Sequence, residues 1–539
     1  MRSRSAAELA VVGAQIRTLD PGRPTATAVA IRDGEIVAVG DDAAIRDACD
    51  ARTEVLDGAG LAIVPGLTDS HLHPMWATEF AIGVDASRLA LRSELEAALR
   101  AERERVGPEG IVRAWSVDYA HFAGADMDGR VLEAMAGGPA LAVFFDLHSY
   151  LATPSVLALA GVEGAEPFDD ASEIVVRDGR PTGELREFSA FFRVADALPG
   201  ATEAARLRRV AEVLRELNAA GLTGAHVMDG SPEVYERLDA LEARGELTMR
   251  LVVPLWVKPE HGDDVIEAYL GHRDDRGELW RGGAAKFFAD GVIDSGTAWL
   301  EEPDTQGDGT HPFWPDPSRY DAAVARFAGA GFQCITHAVG DRAVRAALDA
   351  YAAAGRAGGN PVRGMHRIEH LESLGDETLA RLGAEGVAAS MQPLHMQWRR
   401  ADGGDSWSQR LGRRRAAQAF RTADMLAAGA VVPLGSDWPV ASYDPRVGMA
   451  WARLRRHPGR ADEPPFEPEQ RLTGLQALEG YTTGAAAVAG ESGEGGRIAP
   501  GMRADLTAFA ADPADTDADA LVELPVQLTV VAGRVVYRA

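Results

Sequence analysis

The chain has 539 residues and almost no lysine: of its 55 basic residues, only Lys258 and Lys286 are lysines and the rest are arginines. Codon bias toward Arg and Ala accounts for most of the shortage. A lysine that persists in such a chain can still do what arginine cannot, which is lose its proton and react as an amine. Positive charge as a whole is in deficit, since 81 acidic residues bring the formal net charge to −26. That balance argues against nucleic acid or an anionic membrane as partner, because binding phosphates needs clustered cations. Two cysteines, Cys49 and Cys334, exclude a disulfide framework and any multi-cysteine metal cluster. No stretch approaches about 18 uninterrupted apolar residues, so no transmembrane helix is expected. Glu8 interrupts the basic-start N-terminal segment before an apolar run can form, so no signal peptide is expected either. A soluble, cytoplasmic protein is the expectation.

Hydrophobic residues at 46% and charged residues at 25% match ordinary globular chains. The length suits several domains of roughly 100–200 residues, or one large barrel with additions. Short β-like runs crowd both ends. Asp33-Gly34 between apolar runs is a hairpin signal, and 504–509 and 526–537 are β-rich with a break at Gly533. Neither end holds enough strands to bury a core alone, so residues 1–62 and 491–539 are expected to form one small β-sandwich together.

The middle, 63–490, alternates. Apolar runs at 61–67, 222–228, 249–256, 284–289, 331–337, 366–370, 387–392 and 431–437 read as strands. Segments with helical spacing lie between most of them, at 203–220, 233–244, 321–330, 342–354, 375–385 and 415–428. The spacing predicts an α/β protein with a (β/α)8 TIM-like barrel. The gap after the first run is too long for one helix, so residues of about 80–200 are expected to be an inserted capping subdomain with strand pieces at 140–145 and 174–177. The stretches 490–496 and 511–519 read as surface loops.

Asp69-Ser-His71-Leu-His73 closes the first run. Residues i and i+2 of a strand point the same way, so His71 and His73 can grip one ion at the C-terminal mouth, where barrel active sites lie. One such pair is weak evidence. His337, His370 and Asp437 close three further runs, and core packing does not explain five such residues on one face. Lys286 lies inside the fourth strand, where a buried ammonium must be paired or neutral. Either it pairs with a carboxylate such as Asp290, or it is a neutral amine that takes up CO2 to become an anionic bridging ligand. Lys258 reads as a loop cation. Trp115, His148, His395 and Trp438 are pocket candidates near loops over the mouth, with packing roles equally open to them. Asp341 can orient a histidine or begin a helix, Cys334 reads as core, and Arg413-Arg-Arg415 as a solvated helix start. His121, His226, His261, His272, His311, His366 and His457 lack a partner pattern and read as surface or satisfied core residues. Of these, His226 stands out because it lies on the second strand.

Val64-Pro-Gly-Leu-Thr-Asp-Ser-His-Leu-His73, Lys286-Phe-Phe-Ala-Asp-Gly291, His337-Ala-Val-Gly-Asp341, Arg367-Ile-Glu-His370, Met391-Gln-Pro-Leu-His395 and Gly435-Ser-Asp-Trp-Pro439 together resemble the amidohydrolase superfamily, in particular its YtcJ-like branch, which includes N-substituted formamide deformylases. The resemblance covers nearly the whole chain. It implies that His71, His73 and Asp437 hold one divalent metal, zinc by preference, that His337 and His370 hold another, and that carbamylated Lys286 bridges them. Asp437 is then the general base, moving a proton from metal-activated water to the leaving nitrogen. His148 matches a Gly-His-x-x-x-x-Asn position of the family, but Thr153 stands where the asparagine would be. The expected activity is metal-dependent hydrolysis of a C–N bond in a small amide or N-formyl amide. Two rivals are a deaminase of the same superfamily, disfavoured by the lysine on the fourth strand, and a non-enzymatic binding protein on a degenerate barrel, disfavoured by the complete ligand set. The resemblance also implies a homodimer.

Overall fold

The computed structural model describes residues 6–122 and 127–539. Parallel strands fill the middle of the chain in two sheets. Leu67–Leu72, Leu222–Val227, Arg250–Val252 and Trp280–Arg281 are neighbours in the first. Leu255–Trp256, Ala284–Phe288, Gln333–Ala338, Arg367–His370 and Ala388–Ser390 are neighbours in the second. The run expected at 249–256 thus splits around Pro254 into one strand of each sheet. Proline has no N–H to donate to a ladder.

Segment 431–438 touches the outer strand of both sheets. Ala389 N donates to Val431 O (2.9 Å) and Met391 N to Pro433 O (3.0 Å), while on the other side Ser70 N donates to Leu434 O (3.0 Å) and Asp437 N to His71 O (2.7 Å). Regular strand geometry is confined to Leu434, which bridges Met391. The approach to the first sheet is close enough that a Cβ on Gly435 would sit 2.6 Å from His71 N, so glycine is required there.

Helices Glu203–Ala219, Pro232–Ala243, Pro317–Gly329, Asp341–Ala357 and Asp376–Glu385 lie between the parallel strands, near the expected bounds. Their starts are written locally: the Thr202, Ser231 and Asp316 side chains accept from backbone N–H groups of the first turn, and Pro232 and Pro317 open two of the helices. The helix expected at 415–428 is instead two short ones, Arg413–Ala416 and Thr422–Ala427. Between them Ala419 bridges Ser373 and Phe420 takes a left-handed φ of 49°, so the two helices do not run into one.

The run expected at 61–67 divides at Gly66. Ala62–Pro65 pairs antiparallel with Leu506–Phe509 and parallel with Gln15–Arg17, whereas Leu67–Leu72 pairs with Leu222–Val227. Two terminal sheets result. One is Glu35–Gly40, Ala28–Arg32, Leu9–Val12 and Glu54–Asp57; the other is Arg534–Arg538, Val526–Val531, Leu506–Phe509, Ala62–Pro65, Gln15–Arg17 and Thr25–Ala26. Val11, Val29, Ile63, Leu506 and Leu528 bury one shared apolar cluster, so both chain ends contribute to it. At the hairpin, Asp33 and Gly34 have φ of 51° and 74°, as a two-residue turn of that twist needs.

The insertion contains a six-stranded sheet in the order Glu173–Arg177, Arg180–Arg186, Ser149–Ala152, Ala140–Phe144, Val112–Val117, Val84–Asp85. Period-two alternation divides its faces. Ala140, Ala142 and Phe144 pack under helices Arg92–Val106 and Gly129–Ala136, while Leu141 and Val143 join the main core with Phe80 and Phe188. Among the described residues, no helix is long and apolar enough to cross a membrane.

Candidate metal centre

Four parallel elements end at one cluster. His71 is the penultimate residue of strand Leu67–Leu72 and His73 lies just beyond it; His337 is in Gln333–Ala338, His370 ends Arg367–His370, and Asp437 lies near the end of the segment that bonds to both sheets. His370 and Asp437 have left-handed φ of 75° and 59°. Such a backbone is costly for a residue with a Cβ, and it turns both side chains out of strand alternation toward the cluster.

Asp437 is the hub. Its Oδ1 lies 3.3 Å from His71 Nε2 and 3.1 Å from His73 Nε2, and its Oδ2 lies 3.3 Å from His395 Nε2 and 3.9 Å from His370 Nδ1. Each carboxylate oxygen therefore faces a different pair of histidines. Two triads, His71–His73–Asp437 and His370–His395–Asp437, each hold their ligand atoms within 4.8 Å of one another. The His337 ring lies 4.4 Å from that of His370. A four-coordinate ion with bonds of about 2.0–2.1 Å spaces its ligand atoms about 3.3 Å apart, which the first triad matches.

The tautomer of His71 adds a second argument. Its Nδ1 is 2.6 Å from Glu369 Oε2, and Glu369, despite burial, is held down at about 2 by Arg367 and His71. A carboxylate there accepts a hydrogen bond from Nδ1–H, and in the neutral ring that tautomer turns the Nε2 lone pair toward Asp437 Oδ1. Two electron-rich atoms 3.3 Å apart in a buried site are stabilised by a cation between them. Burial also lowers His73 to about 4 and His337 and His370 well below their ordinary value, which keeps these imidazoles neutral, as ligands must be. The chain's donor set thus fits a divalent metal.

Lys286 completes the cluster. Its ammonium nitrogen is buried, has no hydrogen-bond partner among the described residues, and lies 4.9 Å from the centre of the Phe288 ring. Burial lowers its pKa to about 8, against the pull of Glu369 and Asp437.

The amidohydrolase family profile matches residues 54–537. The chain belongs to the amidohydrolase family. It is 30% identical to the N-substituted formamide deformylase of Arthrobacter pascens over 98% of both chains. It is 27% identical to the protein YtcJ of Bacillus subtilis (strain 168), covering 95% of this chain and 96% of that one, and sits in the YtcJ-like branch. A metal-dependent hydrolase from Pyrococcus horikoshii OT3 shares the fold, with a TM-score of 0.74 and 21% identity over 95% of this chain and 99% of that one.

Around the cluster of this amidohydrolase lies a pocket lined by Phe145, His148, Asp294, Trp398 and Trp407 together with His337, His370, His395 and Asp437. Of the four pocket candidates, His148 and His395 line it and the two tryptophans do not. Trp115 lies on strand Val112–Val117 of the insertion, where strand pairing with Asp85 fixes it. Trp438 holds the turn instead: its carbonyl accepts from His73 N at 2.7 Å and its ring packs edge-on against Tyr443. His148 is oriented by Glu187, Nδ1 to Oε2 at 2.6 Å, and lies 5.2 Å ring to ring from His337. Thr153 caps helix Pro154–Leu159 and accepts from Ala140 N, so it serves the insertion's own fold.

His395 sits between two carboxylates, 3.3 Å from Asp437 on one side and 3.3 Å from Glu372 on the other. Burial opposes its charge, but these two partners raise its pKa to about 9. A proton kept there suits a donor to Asp437 better than a metal ligand.

The residues the sequence left unmarked are the supports. Glu369, Glu187 and Glu372 each face a cluster or pocket histidine, and Arg367 backs Glu369 with Nε 2.8 Å from Oε1. Glu369 was open to detection, since i+2 alternation puts it on the same side as Arg367 and next to His370. His226, on the second strand, holds the far side of Arg367, Nδ1 to Nη1 at 2.7 Å. Asp290 accepts from three backbone N–H groups, of Trp299, Val339 and Gly340, rather than pairing Lys286. Asp341 begins helix Asp341–Ala357 and accepts from Glu301 N, so it orients no histidine.

Proposed function

We propose that this amidohydrolase cleaves a C–N bond in a small amide or N-formyl amide. The observation that carries the reading is Asp437, each of whose oxygens faces a different histidine pair. The same reading takes the two parallel sheets and segment 431–438 as one closed (β/α)8 barrel, a view supported by hydrogen bonds from that segment to both outer strands. It takes the terminal sheets as a β-sandwich that includes Ala62–Pro65, and 80–200 as a cap.

His71, His73 and Asp437 would hold one ion, zinc by preference given the nitrogen and oxygen donors, and His337 and His370 a second. Lys286 would bridge them as a carbamate: its neutral amine adds to CO2, forming an N–C bond and releasing one proton. Its burial without a partner supports this role. A divalent ion bound there supplies Lewis acidity and lowers the pKa of water toward ~7. Asp437 accepts a proton as the water oxygen bonds to the carbonyl carbon, and delivers it to nitrogen as the C–N bond breaks. His395 keeps the Asp437 carboxylate oriented through Oδ2. Glu369 keeps His71 turned with Nε2 toward the cluster.

Elemental analysis and turnover of simple N-formyl amines test this. Bound divalent metal with formate and amine release supports it. Ammonia release from heterocycles instead would make the protein a deaminase, and metal-free protein without turnover would make it a binding protein.

A further inference from the structure

A second cavity, of ≈ 370 Å³, lies at the opposite ends of the strands, between the starts of Leu67–Leu72, Leu222–Val227 and Arg250–Val252 and the turn-rich segment near 491–505. It shares no lining residue with the pocket around Asp437. Its wall is unusual for a chain of net charge −26. Six arginines line it, Arg250, Arg276, Arg281, Arg363, Arg497 and Arg503, against four carboxylates.

Three of those carboxylates are already satisfied. Glu491 takes Arg281 and Arg503, each at 2.7 Å; Glu494 takes Arg363 at 2.7 Å and also Arg503; Asp505 takes Arg250 at 2.6 Å. The fourth, Glu278, is exposed at the rim. Arg276 and Arg497 have no side-chain partner among the described residues, and Arg497 Nε is buried with its N–H unmet. A buried donor left unmade is costly, and more so on a charged group. Guanidinium groups offer planar N–H forks that match phosphate and carboxylate oxygens. The ion pairs fix the four surrounding arginines against three carboxylates, so the two unpaired arginines, Arg276 and Arg497, supply most of the uncompensated positive charge in a prebuilt wall.

We infer that this cavity is a binding site for a small dianion carrying phosphate or carboxylate groups, separate from the metal centre. Calorimetric titration of the full-length protein with inorganic phosphate, and in a parallel arm with succinate, tests it; the tighter arm identifies which oxyanion the site takes. The expected result is saturable binding of one anion per chain. Arg276→Gln with Arg497→Gln should raise the dissociation constant about tenfold or more, the loss of charged hydrogen bonds. Neither side chain is ion-paired, so the melting temperature in anion-free buffer should not change, while the stabilisation by added anion should disappear. Arg276→Gln alone, at an exposed position, should give a smaller weakening and guards against misfolding of the double variant. Asp437→Asn should leave anion binding intact. No saturable binding by the wild type, an unchanged constant in the double variant, or loss of binding in Asp437→Asn would each overturn the inference.

Discussion

Glu369 and His71 meet from strands that are not neighbours, Oε2 to Nδ1 at 2.6 Å, with both side chains buried. Behind Glu369 stands Arg367, and behind Arg367 stands His226, so a line of charged and polar side chains runs from the second strand to the cluster. Removing one member of such a line leaves its neighbour buried and unmatched, which costs more than the contact itself contributes. Glu369→Gln keeps the size but removes the charge that holds the His71 tautomer. Metal affinity should fall by about 10–100-fold, with turnover recovering as metal is added back. A metal titration with wild-type affinity would reduce Glu369 to a packing role.

Lys286→Arg keeps length and charge but loses the amine that can become a carbamate. Bound metal and turnover should fall together. Full activity with two ions per chain would remove the bridging role.

Asp437→Asn removes the proton acceptor and the one carboxylate in each triad. Turnover should drop by about 10²–10⁴-fold, the range of a lost general base, while the urea midpoint moves little. Near-normal turnover would exclude Asp437 as the base.

The arrangement was legible where it lay on strands. His71 and His73 follow from i, i+2 spacing, and His337, His370 and Asp437 from their places at the ends of apolar runs. What the sequence could not show came from tertiary contact. His395 lies on the 3₁₀ turn Pro393–Trp398, which has no strand period to aim it, and Glu187 and Glu372 reach their histidines from other elements. Most of the insertion sheet was also missed, because strands such as Arg180–Arg186 carry proline, glycine and charge and are held by pairing with both neighbours. Trp115 was misplaced for the same reason: it belongs to that sheet and not to a loop.

Away from the cluster, Glu491 offers a pH prediction. Burial opposes its ionisation, but Arg281 and Arg503 lower its pKa from 4.5 to about 2. A lowered carboxylate pKa stabilises the fold at pH values above 4.5 and loses that contribution as pH falls toward about 2. Wild type should therefore exceed Glu491→Gln in urea stability at neutral pH, and the difference should narrow below pH 4.5. A constant difference across that window would show that the ion pairs add no net stability.

The central claim is that Asp437 and its histidines hold a divalent metal. Anomalous diffraction at the zinc edge, on crystals of the protein grown with zinc, tests it most directly. The account predicts a peak bonded to His71 Nε2, His73 Nε2 and an Asp437 oxygen. Zinc bound only elsewhere, or no peak within bonding distance of these three residues, would contradict it.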